Sequence, residues 1–592
     1  MILSACGGAR SVDPPATEAV FRYALLDNPA FDEANARAAD PRGLRPIPWW
    51  GSARGMDQVK SHADAHAVEL MQGDWIRQPL AFYAPLSQTL VVSGRMDAVA
   101  RLSLISGDGR ELPVAEHMRW SDDGTFELRA RDLPSGSVVP RLELRVSPAA
   151  GASTTRVHAL AAHVDLPCPT EAALRAEIVA QLKEIFGAWL TRGIDDVGPR
   201  KTGFLAKDFD AVTGAVLRTS NATGFSSFYQ ALLDAALAAD VPEWRAAFDR
   251  FFEDFLQLQL HPATGLPRSW NPVTDTALDD TPTEIALAFG FLIDVAERGP
   301  EKFRARAKAA ATKIGETVLA HGLIPDGNCA ASYWPATGAP NLNVNQLRRL
   351  DVPLQLVRLS KLTEDPRFAA AAREPLVTLE FTHFWHGVWF AIDPGFDDDF
   401  GHYGARAARV AREAPDETYY RRFALEGWKH YEPMWRDALR CGGNIAADQV
   451  RCWKIGVDLA RVEPELRRDM GPLLRLAARS HFKGEQYGNG AWGDVTIFDF
   501  HPNDALQVGD LTGAPQNLLT GLASIYVEEL GLRTDEIRAM YTAVLRSSVA
   551  QYRRPHGFLL DRNQGAGANS AYGSIRVLGG LVEMLTALSR PR

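Results

Sequence analysis

Long apolar runs are missing from this sequence: no stretch of eighteen or more apolar residues occurs in its 592, so no membrane-crossing helix is expected. An excess of positive charge is missing too. The formal net charge is −9 and the pI about 5.9, which does not favour nucleic acid, whose phosphates need a concentrated basic face. Cysteine is scarce. Cys6, Cys168, Cys329, Cys441 and Cys452 lack zinc-type spacing, and after Cys6 they read as buried free thiols or as up to two disulfides in an exported protein. There is no Gly-Lys-Ser/Thr phosphate loop, no dinucleotide fingerprint and no Gly-x-Ser-x-Gly elbow. Nothing in the sequence calls for a cofactor.

What is present is ordinary for a large folded protein. Hydrophobic residues make up 46% and charged ones 23%, which argues against wholesale disorder, and the length argues for more than one domain. Leu3-Ser4-Ala5-Cys6 followed by two glycines has the form of a bacterial lipobox, in which the Cys is acylated. That reading sets residues 1–8 apart and implies a periplasmic or outer-membrane lipoprotein, touching the membrane only through a lipid at Cys6. Residues 9–70, rich in Pro, Ala and Asp, read as a linker and lead-in.

Residues 71–168 show period-two alternation. Leu142, Leu144 and Val146 alternate with Glu143 and Arg145, and Phe126 and Leu128 flank Glu127; Gly107-Asp108-Gly109 and Asp122-Asp123-Gly124 supply turns. A small antiparallel β-sandwich is expected. From 169 to 592 the texture is helical. Leu174, Ile178, Leu182, Ile185 and Trp189 form one apolar stripe, and further helices are expected near 225–240, 242–258, 282–297, 301–320 and onwards to 571–589. Thr281-Pro282-Thr283-Glu284 reads as a capping box opening the 282–297 helix.

The loops repeat every 50–65 residues or so, about two helices per unit: Gly203-Phe204-Leu205, Gly265-Leu266-Pro267, Gly322-Leu323-Ile324, Gly387-Val388-Trp389, Gly493-Asp494-Val495 and Gly557-Phe558-Leu559. A helix pair cannot bury its apolar stripes alone, and six or seven pairs without polar end caps are better closed into a ring. His261-Pro262-Ala263-Thr264-Gly265-Leu266-Pro267 resembles the acid-x-x-Thr-Gly-Leu loops of six-hairpin glycosidases and related (α/α)-toroid polysaccharide lyases, although His261 stands where those loops have an acid. The resemblance implies a mainly α protein, an (α/α)6 or (α/α)7 toroid preceded by the β-sandwich, acting on an oligo- or polysaccharide.

Three loops carry candidate chemistry. Phe396 to Tyr403 holds Asp397, Asp398 and Asp399, then His402 and Tyr403; adjacent like charges raise at least one pKa unless a cation intervenes. Tyr487 to His501 holds glycines that let backbone approach a ligand, with Trp492, Asp494, Asp499 and His501. The third runs from Arg268 and Trp270 to Asp280. Trp270, Trp334 and Trp389, on different loops, read as sugar-stacking platforms beside Tyr487 and Trp492, and Asn569 and Tyr572 enter the last helix.

A glycoside hydrolase needs one acid to protonate the leaving oxygen and one carboxylate to activate water or attack carbon. Asp398 or Asp399 facing Asp494 or Asp499, with Asp280, fits that need. A uronate lyase is the alternative, with His402, Tyr403, His501 or Tyr572 as base and Arg268, Arg406 or Asn569 as neutraliser. A non-catalytic glycan-binding lipoprotein and a sugar epimerase complete the alternatives. His383 and His386 read as packing or capping residues, and no metal site is assigned.

Overall fold

Alternating apolar residues build the N-terminal part of the protein, seen here in a computed structural model. It describes residues 19–26, most of 50–130 and of 142–373, short pieces between 411 and 432, and 450–482 and 514–590 with small gaps. One sheet runs β3 (Val59–His62), β4 (Ala65–Met71), β12 (Thr154–Pro167), β6 (Leu90–Met96), β10 (Thr125–Ala130) and β9 (Met118–Trp120), with β1 (Val20–Ala24) also paired to β12. The other runs β2 (Trp50–Gly51), β5 (Ile76–Pro79), β11 (Leu142–Pro148), β7 (Ala100–Ser106) and β8 (Glu111–Leu112). Every pairing is antiparallel. β11 touches β4 and β12 across the gap, so the sheets face one another. The expected alternation holds: Phe126, Leu128, Leu144 and Val146 are buried between them, while Glu127 pairs at the surface with Arg129.

The sheets begin earlier than expected. β1 to β4 come from the stretch read as lead-in. In β1 only Tyr23 is fully buried, so its sequence carries no alternation; the long strand β12 supplies the partner. β1 and β12 also dock on the helical part. The Tyr23 ring meets Phe482 edge-on at 4.9 Å, Arg479 lies over Tyr23, and Arg538 Nε donates to the Pro169 carbonyl at 2.7 Å. Cys168, buried at this junction, forms no disulfide, and its Sγ donates to the Asp535 carbonyl at 3.6 Å. Cys6, Cys329 and Cys441 lie outside the described residues.

The helices are α1 (Glu171–Arg192), α2 (Ser226–Ala238), α3 (Pro242–Asp254, continued by a π turn to Gln259), α4 (Ala286–Arg298), α5 (Glu301–His321) and α6 (Asp351–Thr363). Then follow α7 (Val450–Val462), α8 (Arg467–Phe482), α9 (Ala514–Ile525), α10 (Asp535–Tyr552) and α11 (Tyr572–Ser589), and residues 366–373 and 411–413 are also helical. Alternate helices touch: α2 packs on α4 and α4 on α6, while α7 packs on α9, α9 on α11 and α11 back on α2. Arg412 bridges the remaining gap, donating to Asp458 of α7 at 2.7 Å beside Glu413, which faces Lys361 of α6 at 4.0 Å. Seven helical segments thus form an inner ring among the described residues. α1, α3, α5, α8 and α10 lie outside it.

The capping box at Thr281–Glu284 is corrected. Thr283 and Glu284 pair as strand β17 with β18 (Ser332–Tyr333), the Thr283 hydroxyl donates to the Pro267 carbonyl, and α4 starts at Ala286 without a side-chain cap. Pairing with β18 keeps Thr283 and Glu284 extended, so the helix that Thr281 would have capped does not begin there.

Three loops share one backbone form, and of the expected Gly repeat only Gly265, among the described residues, belongs to it; Gly203 has no positive φ, and Gly557 closes a tighter turn on Arg554. Asp210, His261 and Trp334 each receive an N–H from the Gly four residues on, and each donates to the carbonyl five residues on, at 2.8–2.9 Å. Gly214, Gly265 and Gly338 lie at φ 72°, 72° and 75°, where a Cβ is strained. In the first loop the Asp210 carboxylate accepts from the N–H groups of Val212 and Thr213; in the second, His261 Nδ1 accepts from those of Ala263 and Thr264. The neutral imidazole does the work of the missing acid. Replacing Gly214 by Ala strains φ and drives a Cβ to 2.6 Å from the buried His556 ring. It should cost about 1–3 kcal/mol in denaturant unfolding, and an unchanged midpoint would contradict this account of the loop.

Candidate functional site

Ion pairs between inner helices show which way these helices run. Asp234 of α2 pairs with Arg298 of α4, and Arg358 of α6 donates to Asp294 at 2.5 Å and Glu297 at 3.0 Å. On the other side Arg412 and Arg461 both approach Asp458. These groups lie in the C-terminal halves of their helices or in the middle of α6, so the inner helices are parallel. The links returning to the outer layer, such as 239–241 and 299–300, are short. The connections 193–225, 260–285, 322–350 and 553–571, described in part, lead into α2, α4, α6 and α11 and are long. These four therefore enter at one end of the ring.

Short β pairings join these connections to one another. β13 (Asp208–Asp210) pairs with β14 (Val216–Arg218) and with β19 (Ala568–Ser570), tying the first connection to the last. β15 (Ser269–Asn271) pairs with β16 (Thr276–Leu278), and β17 with β18. The Thr264 hydroxyl donates at 2.6 Å to Pro335, in the neighbouring loop.

Arg268 is held at this mouth by the Leu258 carbonyl (3.0 Å) and by Asp279 (3.3 Å). Trp270 is buried in the core, whereas Trp334 is 38% exposed. Asp280 is exposed, Asn569 is the central residue of β19 opposite Phe209, and Tyr572 opens α11. Trp389, Asp398, Asp399, His402, Tyr403, Tyr487, Trp492, Asp494, Asp499 and His501 lie outside the described residues.

Beneath the mouth the inner helices line a half-open cavity of about 740 Å3. α4 lines it along its whole length, from Ala286 and Leu287 to Arg298. Six carboxylates and five guanidinium groups reach it. Burial pushes the Asp234 carboxyl up, and Arg298 and Gln230 only partly offset this. Burial also works against the Arg358 charge, yet Asp294 and Glu297 more than compensate and hold it up. None of these groups was singled out from sequence. The signal was there: Asp294 is a charge set between Ile293 and Val295, both fully buried. A second missed signal is the exact recurrence of Pro-Ala-Thr-Gly-x-Pro at 262–267 and 335–340. Among the described residues no group of three or more His, Cys, Asp or Glu is arranged to hold a metal ion, and no helix is long and apolar enough to cross a membrane.

No family model and no curated protein matches the chain. Solved structures with a similar course include an α-1,2-mannosidase from Trichoderma reesei (12% identity, covering 72% of this chain and 95% of that one, TM-score 0.49). A D-mannose isomerase (11%, 70% and 98%, TM-score 0.44) and a cellobiose 2-epimerase from Spirochaeta thermophila (14%, 71% and 97%, TM-score 0.42) are also similar. At such low likeness the ring itself rests on the helix contacts described above.

Asp234 gives a pH signature. A carboxyl whose folded pKa is raised binds its proton more readily in the folded state, so its contribution to stability is greatest below the unfolded value and is lost as pH rises through the folded one. The melting temperature of the wild type relative to Asp234→Asn should therefore rise as pH falls from 7 towards 4. A difference that shrinks with acidity would show that burial does not govern this group.

Proposed function

We propose that the chain is a glycan-processing enzyme, and within that class a glycoside hydrolase built on a seven-hairpin toroid. The observation that supports this is topological: the described connections leading into α2, α4, α6 and α11 enter at one mouth, above a polar chamber. Asp280 is exposed in one described connection, while Asp398, Asp399, Asp494 and Asp499 lie outside the described residues and are assigned from the sequence. A pair of such carboxylates suits the acid and base or nucleophile roles that glycosidic cleavage requires. Trp334, exposed at the same mouth, offers a stacking face. The uronate lyase is the less favoured reading, because the Arg268 guanidinium is already engaged by Asp279 and the Leu258 carbonyl. A lipid-anchored location, from Leu3-Ser4-Ala5-Cys6, belongs to the same proposal.

Wild-type protein incubated with neutral and uronate-containing glycans should release reducing ends without the absorbance near about 235 nm that a lyase's unsaturated product would give. Asn in place of both Asp398 and Asp494, and separately of both Asp399 and Asp499, should lower turnover by at least about a hundredfold in one pair. Wild-type rates in both pairs would refute the assignment, and an unsaturated product would transfer it to the lyase.

A further inference from the structure

The axial chamber is a half-open space between the inner helices that would hold about 25 waters at roughly 30 Å3 each. Small residues keep it open: Ala231, Gly290, Ala523, Gly579 and Ala587 all face it. Gly290 has a packing reason, since a Cβ there would meet the Gln355 amide at 3.0 Å. Gly580 has one too, because its Cβ would press on Leu519 at 2.8 Å. Gly579 has none: a Cβ there finds only Thr520 Oγ1, at 3.9 Å. Glycine in the middle of a helix costs about 1 kcal/mol relative to alanine. At this position it gains nothing for the fold, and what it leaves is space in the chamber.

The lining indicates what fills that space. Six carboxylates against five guanidinium groups nearly cancel, so the chamber favours neither an anion nor a cation. Planar carboxylate and guanidinium edges, with Gln230, Gln355, Ser524 and Thr586, present donors and acceptors in the density that vicinal hydroxyls use. Phe291 adds an apolar surface. The volume lies in the range of about 300–1,000 Å3 typical of small-ligand sites. Leu287, in the first turn of α4 and 49% exposed, marks the end where the long connections enter.

We propose that the axial chamber binds neutral sugar residues and receives the terminal residues of a neutral glycan from the mouth above it. This rests on the glycan-processing reading, and it excludes a uronate chain as the chamber's ligand.

The test uses the full chain, titrated calorimetrically with cellobiose, α-1,2-mannobiose and digalacturonate, with product analysis of each mixture. At least one neutral disaccharide should bind saturably, and Gly579→Leu should weaken that binding by at least about tenfold while leaving the melting temperature within a few degrees. Gly579→Ala serves as the milder variant should Leu prevent folding, with a smaller weakening expected. Failure of both neutral disaccharides to bind, binding of digalacturonate alone, or undiminished binding by the position 579 variants would each overturn the proposal. Binding without cleavage would leave the chamber assignment standing and remove the hydrolase reading. Cleavage that is indifferent to position 579 would do the reverse.

Discussion

Closure of the ring is the constraint on which the rest of this protein depends. The first and last outer helices are stitched along their length: Arg533 and Arg546 donate to Glu171 and Glu177 at 2.9 Å, and Arg553 pairs with Glu184. Inside that seam Trp189 stacks on Phe558 at 4.4 Å, and His556 bonds the Ala211 carbonyl at 3.1 Å. These partners stand some 345–372 residues apart in sequence. Joining chain ends over such a distance costs roughly 5 kcal/mol of loop entropy. Half-exposed ion pairs are worth only about 0–1 kcal/mol each, so the apolar contacts of Trp189, Phe209 and Phe558 must supply much of the offset. Without this seam there is no inner ring, and without the ring there is neither a common mouth nor a chamber.

Helices were the most legible part of the sequence, because their apolar stripes face a core on a fixed period. The expected 301–320, 533–552 and 571–589 differ from the observed α5, α10 and α11 by two residues at most. The Gly loops were legible only in part: Gly265 stands in the expected repeat and lies at φ 72°, whereas Gly214 and Gly338, in the same backbone form, fall outside that repeat. Errors fell where a residue had two physical options. Thr281 to Glu284 could open a helix or pair with the next loop, and only the assembled ring places Ser332 and Tyr333 beside it. β1 shows no alternation, because it becomes a strand only when β12 lies beside it.

Of the candidate site, Asp280 and Trp334 lie on described connections at the mouth, whereas Asp398, Asp399, Asp494 and Asp499 lie outside the described residues. The chamber's charged belt was illegible for a different reason. Asp294, Glu297 and Arg298 lie in the last turns of α4, where polar residues suit water as well as a lined chamber. Their burial follows from α4 being an inner helix, which is a property of the ring and not of the segment.

Once formed, the belt raises a physical question of its own. Buried ion pairs are often no better for stability than well-packed apolar residues of similar size, and the upward push on Asp234 shows that burial is opposed here. An apolar lining would draw the inner helices together or stay dry. A lining of Arg358, Asp294, Asp458 and Arg412 cannot do either, because each charge demands partners and the space between them stays wet. Together with glycine at 579, which packing does not require, the belt maintains a solvated hole through the middle of the fold at a cost in stability. Such a cost is understandable where the hole itself is what the protein uses, and the near-balance of its charges makes hydroxyl groups better suited to it than ions.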